Sequence, residues 1–336
     1  MAPMNMEHCR LHVEMQRWPL VKPFRISGHT WEFVELLVVG LEKDGHTGRG
    51  EAAGVYYRSD TPAVMLAAVE SLRTRIEARV SRAAIQQWLP PGGARNALDC
   101  ALWDLEARLV GCPVWQLAGI EQPKPLLTTF TCGAGTPEEM VATARSYANA
   151  RAIKLKLTGE LVDAERVIAV RDAMPHVWLG VDANQGFTRA SLERLMPVLR
   201  DARVALIEQP FPIGQEALLD GCHSPIPIAA DESAQSLADI ASLPGRFDVV
   251  NIKLDKCGGL TEGLAMARAA SMLGLDTMVG NMLGTSLAMA PGFVLGQLCD
   301  VVDLDGPVFL ESDRPGAVRY ADGFIDCPES LWGQPP

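Results

Sequence analysis

Five short segments decide the fold of this chain, and each is an apolar run that carries a charged residue at or near its end: AIKLKL (152–157), VWLGVD (177–182), VALIE (204–208), PIPIAAD (225–231) and FDVVNIK (247–253). Runs of this length and composition are typical of buried strands. Their charged residues Lys156, Asp182, Glu208, Asp231 and Lys253 follow one another at intervals of 22 to 26 positions. One strand, one helix and two loops need about that length, so the intervals indicate consecutive βα units.

Helical patterns lie between these runs, for example DAERVIAVRDAM (163–174) and SLERLMPVLRDA (191–202). We expect eight strands in all, at 127–132, 152–157, 178–183, 204–208, 226–231, 248–253, 276–281 and 300–304. In a parallel barrel of such units the carboxyl ends of all strands open into one mouth. The sequence therefore predicts that charged residues far apart in the chain converge in one cavity.

The first part of the chain has a different pattern. Residues 8–42 alternate like sheet strands around a polar and aromatic loop at 23–33. A third strand follows at 47–54, where Gly48 and Gly50 predict a close approach of backbones. Residues 62–118 show helical periodicity, so we expect an α+β domain ahead of the barrel.

A proline-rich segment, EQPKPLL (121–127), marks the change of pattern between the two domains. After residue 305 the sequence is rich in glycine and proline and has little periodicity. We therefore predict a capping domain at 1–122, a barrel domain with the active site at 123–310, and a segment at 311–336 that packs back on the capping domain.

Composition narrows the class of function. The 336 residues are 48% hydrophobic, enough for one barrel and a smaller domain. A net charge of -11 argues against nucleic acid or a membrane surface as the main partner, and the longest apolar stretch, LLVVGL (36–41), is too short to span a bilayer. The eight cysteines form no CxxC pair and no signal peptide is recognisable, so we expect a cytoplasmic protein that acts on a small molecule.

Asp182, Glu208 and Asp231 come from three neighbouring strands in the predicted order. Carboxylates without histidine or cysteine suit a hard cation that prefers oxygen ligands, above all Mg²⁺. A single carboxylate at such a position would more often cap the helix that follows the strand. Three carboxylates at the ends of consecutive strands, at this regular spacing, favour a metal site instead. The six histidines avoid the strand ends, which disfavours zinc hydrolysis and histidine-based catalysis.

Lys154 and Lys156 flank Leu155, so in a strand both ammonium groups point into the barrel while the leucine faces the helices. An inward lysine is costly unless anions surround it. A surface lysine that extends its ammonium group into water fits poorly here, because the pattern buries the strand on both faces. Next to a cation its pKa falls, so it can act as a neutral base near pH 7. Lys253 arrives from the opposite side of the mouth, and two bases on opposite faces of one carbon are what 1,1-proton transfer requires.

A second acidic pair lies near the end of the barrel, where DLDGP (303–307) places Asp303 and Asp305 on one side of a strand. Anions at this place can bind a substrate ammonium group. A pair of turn-capping carboxylates explains the same motif equally well, and both interpretations stay open.

The chain resembles the dipeptide epimerases of the enolase superfamily, in the muconate lactonizing enzyme subgroup. The resemblance covers nearly the whole chain and rests on the motifs ARNALDCALWDLEA, KLKL, VDANQGF, IEQP, ADES, VNIKLDKCGGLTE, MVGNMLGTSLAMA and DLDGP. Together they are highly specific for the subgroup, though not for one reaction. The resemblance implies a TIM-like (β/α)7β barrel under an N-terminal α+β capping domain, in an enzyme that binds Mg²⁺.

The resemblance also implies the reaction. The three carboxylates Asp182, Glu208 and Asp231 would hold Mg²⁺. Lys156 and Lys253 would be the acid/base pair, and the neighbouring Lys154 would support the substrate carboxylate and lower the pKa of Lys156. The expected reaction is inversion of the α-carbon of the C-terminal residue of an L,L-dipeptide through an enolate.

Substrate contacts are implied as well, with Asp303 and Asp305 binding the free α-ammonium. The other expected contacts are Thr131, Arg25, Trp31 and Met282. In the Ala-Glu branch of the family the capping loop carries an arginine for the glutamyl carboxylate, whereas Trp31 stands there in this chain. Arg25 or Arg58 would have to supply a displaced cation, while Trp31 and the tyrosines of GVYYR (54–58) favour an apolar or aromatic substrate component.

Other reactions use the same machinery. The family contains racemases of N-acyl amino acids, for example N-acetyl-glutamate, and β-eliminating enzymes of the o-succinylbenzoate synthase or sugar-acid dehydratase type. A protein that only binds an anion or metal is a third alternative, disfavoured by the presence of all three carboxylates and both lysines. The resemblance further predicts a possible homo-oligomer.

Overall fold

The N-terminal alternating segment forms an antiparallel sheet in the computed structural model, which describes residues 4–26 and 28–335. A short strand, β1 (Met6–Glu7), comes first. The sheet itself consists of β2 (Arg10–Ile26), β3 (His29–Lys43) and β4 (His46–Ala52). Leu37, Val39 and Leu41 of β3 alternate toward one face and pack in a cluster with the helices that follow.

The loop predicted at 23–33 is instead the tip of the β2–β3 hairpin. Phe24 pairs with Trp31 across a turn at Gly28, whose φ is +74°. Ser27 lies outside the described residues. Aromatic residues on both sides of the turn pair well across strands, and the sequence-based prediction gave too much weight to the polar residues between them.

After a 3₁₀ turn at Tyr56–Arg58, the rest of the capping domain is mainly helical. Its helices are α1 (Pro62–Ser71), α2 (Arg73–Ala78), α3 (Arg82–Trp88), α4 (Gly93–Val110) and α5 (Val114–Leu117), with a short strand, β5 (Arg79–Val80), between α2 and α3. The short β5 pairs with β1. A Cβ atom on Gly50 would lie 2.0 Å from the carbonyl oxygen of Ala97, and one on Gly48 would lie 2.3 Å from that of Ala101. The predicted close approach is thus confirmed, with β4 lying directly on α4.

A short outer strand, β6 (Leu126–Leu127), precedes eight parallel strands that pair in chain order: β7 (Phe130–Cys132), β8 (Ala152–Lys156), β9 (Trp178–Asp182), β10 (Leu206–Glu208), β11 (Ile228–Ala230), β12 (Val249–Lys253), β13 (Asp276–Gly280) and β14 (Val301–Val302). The Thr129 amide donates a 3.0 Å hydrogen bond to the Val302 carbonyl, so the last strand returns beside the first. The predicted barrel is confirmed, with strand ends shifted by at most three residues.

Helices cover the outside of the barrel: α6 (Pro137–Ser146), α7 (Asp163–Ala173), α8 (Arg189–Asp201), α10 (Leu260–Met272) and α11 (Ser286–Gly296). A buried one-turn helix, α9 (Leu254–Cys257), continues directly from the end of β12 at the mouth. The crossovers after β10 and β11 hold 3₁₀ helices instead, at Glu216–Leu219 and Leu237–Ser242. Four prolines and two glycines between positions 210 and 227 explain the first of these, because both residue types interrupt an α-helix.

The end of the chain returns to the capping domain. After a 3₁₀ turn at Gly306–Phe309, β15 (Arg319–Ala321) and β16 (Phe324–Asp326) form a small sheet with β6. The Trp332 indole donates to the Arg49 carbonyl over 2.8 Å, and the Gly333 amide donates to Asp104 over 2.8 Å. These contacts join the C-terminal residues to β4 and α4, while the exact domain limits remain our proposal.

Two large apolar clusters hold the molecule together, one within the capping domain and one around the barrel. The barrel cluster includes Leu155, Val181 and Ile207, each of which precedes a charged residue at a strand end. Alternation therefore sends the charged neighbours inward. Across the described residues, no helix is both long and apolar enough to cross a membrane.

Candidate active site

Strand β8 points two lysines into the barrel. Lys154 and Lys156 are 3% and 6% exposed. The Lys154 ammonium contacts the Asp303 carboxylate and lies 3.3 Å from Glu208 Oε2. The Lys156 ammonium donates to Asp182 Oδ2 over 2.5 Å. Both lysines therefore lie among carboxylates inside the barrel, in the position that strand alternation predicts.

Three carboxylates stand side by side at the strand ends. Asp182 pairs in register with Lys156 on one side and with Glu208 on the other, and Asp231 directly follows β11. All three are buried, and one oxygen atom of each lies within 4.8 Å of the other two. Buried anions this close repel one another unless cations lie between them. The donor set therefore fits a hard divalent cation such as Mg²⁺.

The local charges set the pKa values of these carboxyl groups. Burial and the Asp182 charge raise the pKa of Glu208 to about 7. Burial opposes ionisation of Asp231 too, but the ammonium groups of Lys253 and Lys256 outweigh it and hold the pKa of Asp231 well below its ordinary value. A bound cation would therefore favour the charged form of Glu208.

Two lysines hold Asp231 from the β12 side of the mouth. The Lys253 ammonium donates to Oδ2 over 2.7 Å, and the Lys256 ammonium donates to Oδ1 over 2.6 Å. Lys256 also donates to the Asn251 carbonyl over 3.0 Å and is fully buried, whereas Lys253 lines a cavity. Sequence reasoning gave Lys256 no role. The signal was present, because a helix that starts right after Lys253 puts a residue three positions later on the same side.

Without a metal ion, the carboxylates dominate the pKa values of Lys253 and Lys154. Burial lowers the pKa of Lys253, but the strand-end carboxylates reverse this effect and raise it well above the ordinary value. Burial likewise lowers the pKa of Lys154, and Asp303 together with the same carboxylates raises it. The lowering expected beside a bound cation stays a prediction, because such a cation would neutralise these carboxylates.

Three polar residues of the site were not singled out by sequence reasoning, although they stand in the motifs VDAN, ADES and NIK. Asn251 donates to Glu208 Oε1 over 2.7 Å, and Asn184 donates to Glu232 over 3.4 Å. Burial and the Asp231 charge raise the pKa of Glu232 to about 8. Asn184, Glu232 and Asn251 each keep one buried oxygen without a hydrogen-bond partner among the described residues. Such atoms mark places where a ligand or water completes the bonding.

The acidic pair after β14 has two different environments. Asp303 contacts Lys154 and accepts a hydrogen bond from the Thr129 hydroxyl. Asp305 accepts a 2.7 Å hydrogen bond from the Thr131 amide and, within the described part of the chain, forms no salt bridge. Burial and the Asp303 charge raise the pKa of Asp305 to about 6. Asp305 is thus the carboxylate of the pair that a cationic group would stabilise most.

The strand ends open into a cavity of about 360 Å³ beneath the hairpin tip of the capping domain. The floor of the cavity holds Lys154, Lys156 and Lys253. We call the opposite side the aromatic roof, defined by Phe24, His29, Trp31, Tyr56, Tyr57 and Phe309. A charged floor under an apolar roof suits a small amphipathic molecule.

Most of the predicted substrate contacts line this cavity, namely Asp303, Asp305, Thr131, Trp31 and Met282. Arg25 does not, because it alternates on β2 with Phe24 and faces a neighbouring groove that also contains Lys22. Arg58 does not line the cavity either, and its guanidinium group donates to the Gln235 side chain and to the Pro91 carbonyl, each over 3.1 Å. The structure thus brings neither of the expected arginines to the cavity wall.

Comparison with known proteins agrees with this architecture. Residues 9–119 match the family described as mandelate racemase / muconate lactonizing enzyme, N-terminal domain, and residues 139–331 match the family described as enolase C-terminal domain-like. The L-Ala-D/L-Glu epimerase of Escherichia coli (strain K12) is 39% identical over 312 residues, which cover 92% of this chain and 97% of that protein. An N-acetyl-D-glutamate racemase of a Pseudoalteromonas species is 41% identical over 249 residues, covering 73% and 78%.

A solved structure shares the whole fold. The crystal structure of a dipeptide epimerase from Methylococcus capsulatus, complexed with Mg and the dipeptide L-Arg-D-Lys, matches with a TM-score of 0.90 and 30% identity, and covers 96% of this chain and 98% of that chain. The two family matches span the capping domain and the barrel. This chain therefore belongs to the enolase superfamily, in the mandelate racemase and muconate lactonizing enzyme group that includes the dipeptide epimerases.

Proposed function

We propose that this protein is a Mg²⁺-dependent dipeptide epimerase that inverts the α-carbon of the C-terminal residue. The observation that carries this proposal is the placement of Lys156 and Lys253. They end β8 and β12, which stand four strands apart in a ring of eight and therefore on opposite sides of the mouth. A carbon atom held between them meets one nitrogen on each face, which is the geometry for inverting a stereocentre by proton transfer.

Asp182, Glu208 and Asp231 are the residues that would hold the metal, as their clustered oxygens support. When bound, Mg²⁺ supplies positive charge that draws electron density from the substrate carboxylate and makes the neighbouring α-proton more acidic. The same three carboxylates raise the pKa of Lys253, so neutralising their charge favours the neutral amine that a base requires.

The two lysines then alternate in role. Lys156 accepts the α-proton on one face as a neutral amine, and Lys253 donates a proton to the other face as an ammonium group. For the opposite epimer they act in the reverse order. Lys154 would donate a hydrogen bond to the substrate carboxylate, where negative charge grows as the proton leaves. Its position between Glu208 and Asp303 supports that role, because it stays charged there.

Asp305 supports a dipeptide as the substrate. It lies on the cavity wall without a salt-bridge partner among the described residues, and its hydrogen bond to the Thr131 amide fixes its orientation. The free α-ammonium of a dipeptide would supply the missing cation and gain a charge-assisted hydrogen bond. Thr131, Met282 and Trp31 would complete the contacts.

Racemisation of an N-acyl amino acid is the second candidate, and one observation favours it. Lys154 already neutralises Asp303, so only one of the two acidic residues is open to an ammonium group. An N-acyl substrate carries a neutral amide in place of the ammonium group, and Asp305 could face that amide in its protonated, neutral form. β-Elimination begins with the same proton removal but ends with loss of a leaving group, so its product distinguishes it.

The direct test incubates the enzyme with Mg²⁺ and a pool of L,L-dipeptides and N-acyl amino acids in D₂O. Mass spectrometry detects the gain of one dalton at the α-carbon, and chiral chromatography detects the new epimer. We expect both signals with dipeptides. Exchange confined to N-acyl compounds would make the protein a racemase, and loss of water would indicate elimination. A pool without any exchange would refute proton transfer altogether.

We also propose a cytoplasmic location, which the eight unpaired cysteines support, since disulfides are rare in that compartment. A homo-oligomer, as implied by the resemblance, stays a prediction. The mass of the purified protein in solution tests it, since a monomer has 36.3 kDa.

A further inference from the structure

We infer that the C-terminal residue of the substrate carries an apolar, preferably aromatic, side chain and that substrates with an acidic side chain at this position are rejected. This inference rests on the proposed function and deepens it. Three features of the cavity carry it: a continuous set of aromatic rings in the roof, the rigid attachment of those rings, and the absence of an available cation among the described residues that line the cavity.

The rings of the aromatic roof contact one another in sequence across the mouth. The Phe309 and Phe24 centroids are 4.6 Å apart, and those of Phe24 and Trp31 are 6.0 Å apart. The Trp31 and Tyr56 centroids are 5.1 Å apart in an edge-to-face arrangement, and His29 lies against both rings at tilted angles, with centroids 4.2 and 4.9 Å away. These separations lie in the range in which aromatic rings attract one another, so the roof offers one continuous apolar surface.

Strand alternation explains why the hairpin presents rings to the cavity. Phe24 and Ile26 of β2 and His29 and Trp31 of β3 line the cavity. The residue between the latter two, Thr30, is exposed on the other face of the hairpin. The period of two thus sends apolar groups to the substrate side of the tip and polar groups to solvent.

The loop that carries Tyr56 is anchored at both ends. The Gly54 amide donates to Asp255 Oδ1 over 2.8 Å, and the Gly93 amide donates to Asp60 Oδ2 over 2.7 Å. A Cβ atom on Gly54 would lie only 1.9 Å from the Asp60 carbonyl oxygen, so the loop closes tightly on itself. A surface fixed in this way binds a ring without first being ordered.

The charges around the cavity disfavour an acidic side chain. Among the described residues the permanent cations on its wall are three lysines, and each of them already contacts a carboxylate. The cavity lining also contains Glu35 and Asp60, which are acidic. A carboxylate brought to the roof would therefore lose its hydration without gaining a partner, which is costly.

The position of Tyr56 links the roof to the reacting residue. The Tyr56 ring lies 5.1 Å from the Tyr57 ring, and the Gln235 amide donates both to the Tyr57 hydroxyl over 2.8 Å and to the Glu232 carbonyl over 2.7 Å. Glu232 follows Asp231, the partner of Lys253, so Tyr56 lies near the Lys253 end of the floor. Asp305, the proposed ammonium site, lies instead beside β7. With the ammonium there and the α-carbon between the two lysines, the side chain of the C-terminal residue lies beneath Tyr56 and Trp31.

The test compares kcat/KM for L-Ala-L-Phe, L-Ala-L-Leu, L-Ala-L-Glu and L-Ala-L-Lys. We expect L-Ala-L-Phe to exceed L-Ala-L-Glu by about 100-fold, because the apolar roof favours the ring and the carboxylate loses hydration. Trp31→Ala should reduce the value for L-Ala-L-Phe by about tenfold and that for L-Ala-L-Glu by much less. Trp31→Arg should raise L-Ala-L-Glu relative to L-Ala-L-Phe, because it adds the missing cation.

Thr30→Ala is the matched control, since it alters the same strand on the face away from the cavity and should leave the ratio of the two substrates unchanged. A preference for L-Ala-L-Glu or L-Ala-L-Lys over L-Ala-L-Phe in the native enzyme would overturn this inference while leaving the epimerase proposal intact. An unchanged ratio in Trp31→Ala and Trp31→Arg would overturn it as well. Failure of every dipeptide to epimerise would refute the proposed function and this inference with it.

Discussion

The floor and the roof of the cavity are built in opposite ways. The floor consists of charged side chains at the ends of parallel strands, where Lys156, Asp182 and Glu208 stand in register and are nearly inaccessible to solvent. The roof consists mainly of rings on a hairpin and a loop of the capping domain, and Trp31 and Tyr56 there are partly exposed. The difference teaches that chemistry and selectivity reside in separate parts of this fold, so each can be altered while the other persists.

Glu208→Gln should have the largest effect, because it removes one charge from the carboxylate group of the floor. Several kcal/mol of charge stabilisation correspond to a loss of about 1000-fold in kcat. Chiral chromatography measures the turnover, and titration calorimetry measures Mg²⁺ binding. The exposed Glu193→Gln serves as control and should behave like the native enzyme. Normal turnover in Glu208→Gln would show that the charge of this carboxylate is not needed for the reaction.

Lys256→Met tests what keeps the floor folded. Loss of this fully buried ammonium leaves Asp231 without one of its two cationic partners, so we expect a loss of about 3–5 kcal/mol in the free energy of unfolding. Mg²⁺ should restore part of it by binding the folded state only. Denaturant unfolding with and without Mg²⁺ provides the measurement. The exposed Lys22→Met should change stability by less than about 0.5 kcal/mol, and an equally small change in Lys256→Met would contradict our account.

Asp255 lies at the joint between floor and roof, where it accepts the hydrogen bond from Gly54. Burial raises its pKa to about 7. The folded state thus keeps a proton that the unfolded state releases near pH 4, so stability falls as the pH rises from about 4 to about 7, by up to about 1.4 kcal/mol per unit.

Asp255→Asn removes this titration, so its stability relative to the native protein should increase between pH 5 and pH 7. Denaturant unfolding at several pH values measures the difference. Asp276→Asn, at an exposed position, should give a constant difference over the same range. A constant difference for Asp255→Asn too would mean that this carboxyl group titrates normally.

Asp60→Ala should have the smallest effect, confined to the roof. It breaks the 2.7 Å hydrogen bond from the Gly93 amide and loosens the loop that carries Tyr56. We expect KM for L-Ala-L-Phe to rise about tenfold while kcat changes by less than about twofold, since the cost falls on ordering the roof. Steady-state kinetics separates the two constants, with Asp172→Ala on the exposed side of α7 as control. A fall in kcat alone would show that roof and floor are coupled.

The sequence could predict the floor because each of its charged residues follows a buried strand residue at a regular interval. Alternation alone then directs Lys154, Lys156 and Asp182 inward, whatever the loops do. Lys256 was missed because its contact with Asp231 depends on a one-turn helix that starts at the end of β12, and only the three-residue spacing from Lys253 indicates it.

The roof was predictable in composition but not in geometry. The aromatic residues were visible, yet the segment at 23–33 was expected to be a loop, and only the hairpin register shows which of its side chains face the cavity. Arg25 illustrates this, because a shift of one residue would bring it to the substrate side in place of Phe24. Contacts between domains, such as that between Gly54 and Asp255, have no local sequence signal at all.

The central claim is that Lys156 and Lys253 act on opposite faces of one carbon. Lys156→Ala and Lys253→Ala, each incubated in D₂O with the L,L and the L,D epimer of one dipeptide, test it most directly. Each variant should lose interconversion yet exchange the α-proton of one epimer only, and the two variants should exchange different epimers. Interconversion by either variant, or exchange of the same epimer by both, would contradict the two-base mechanism.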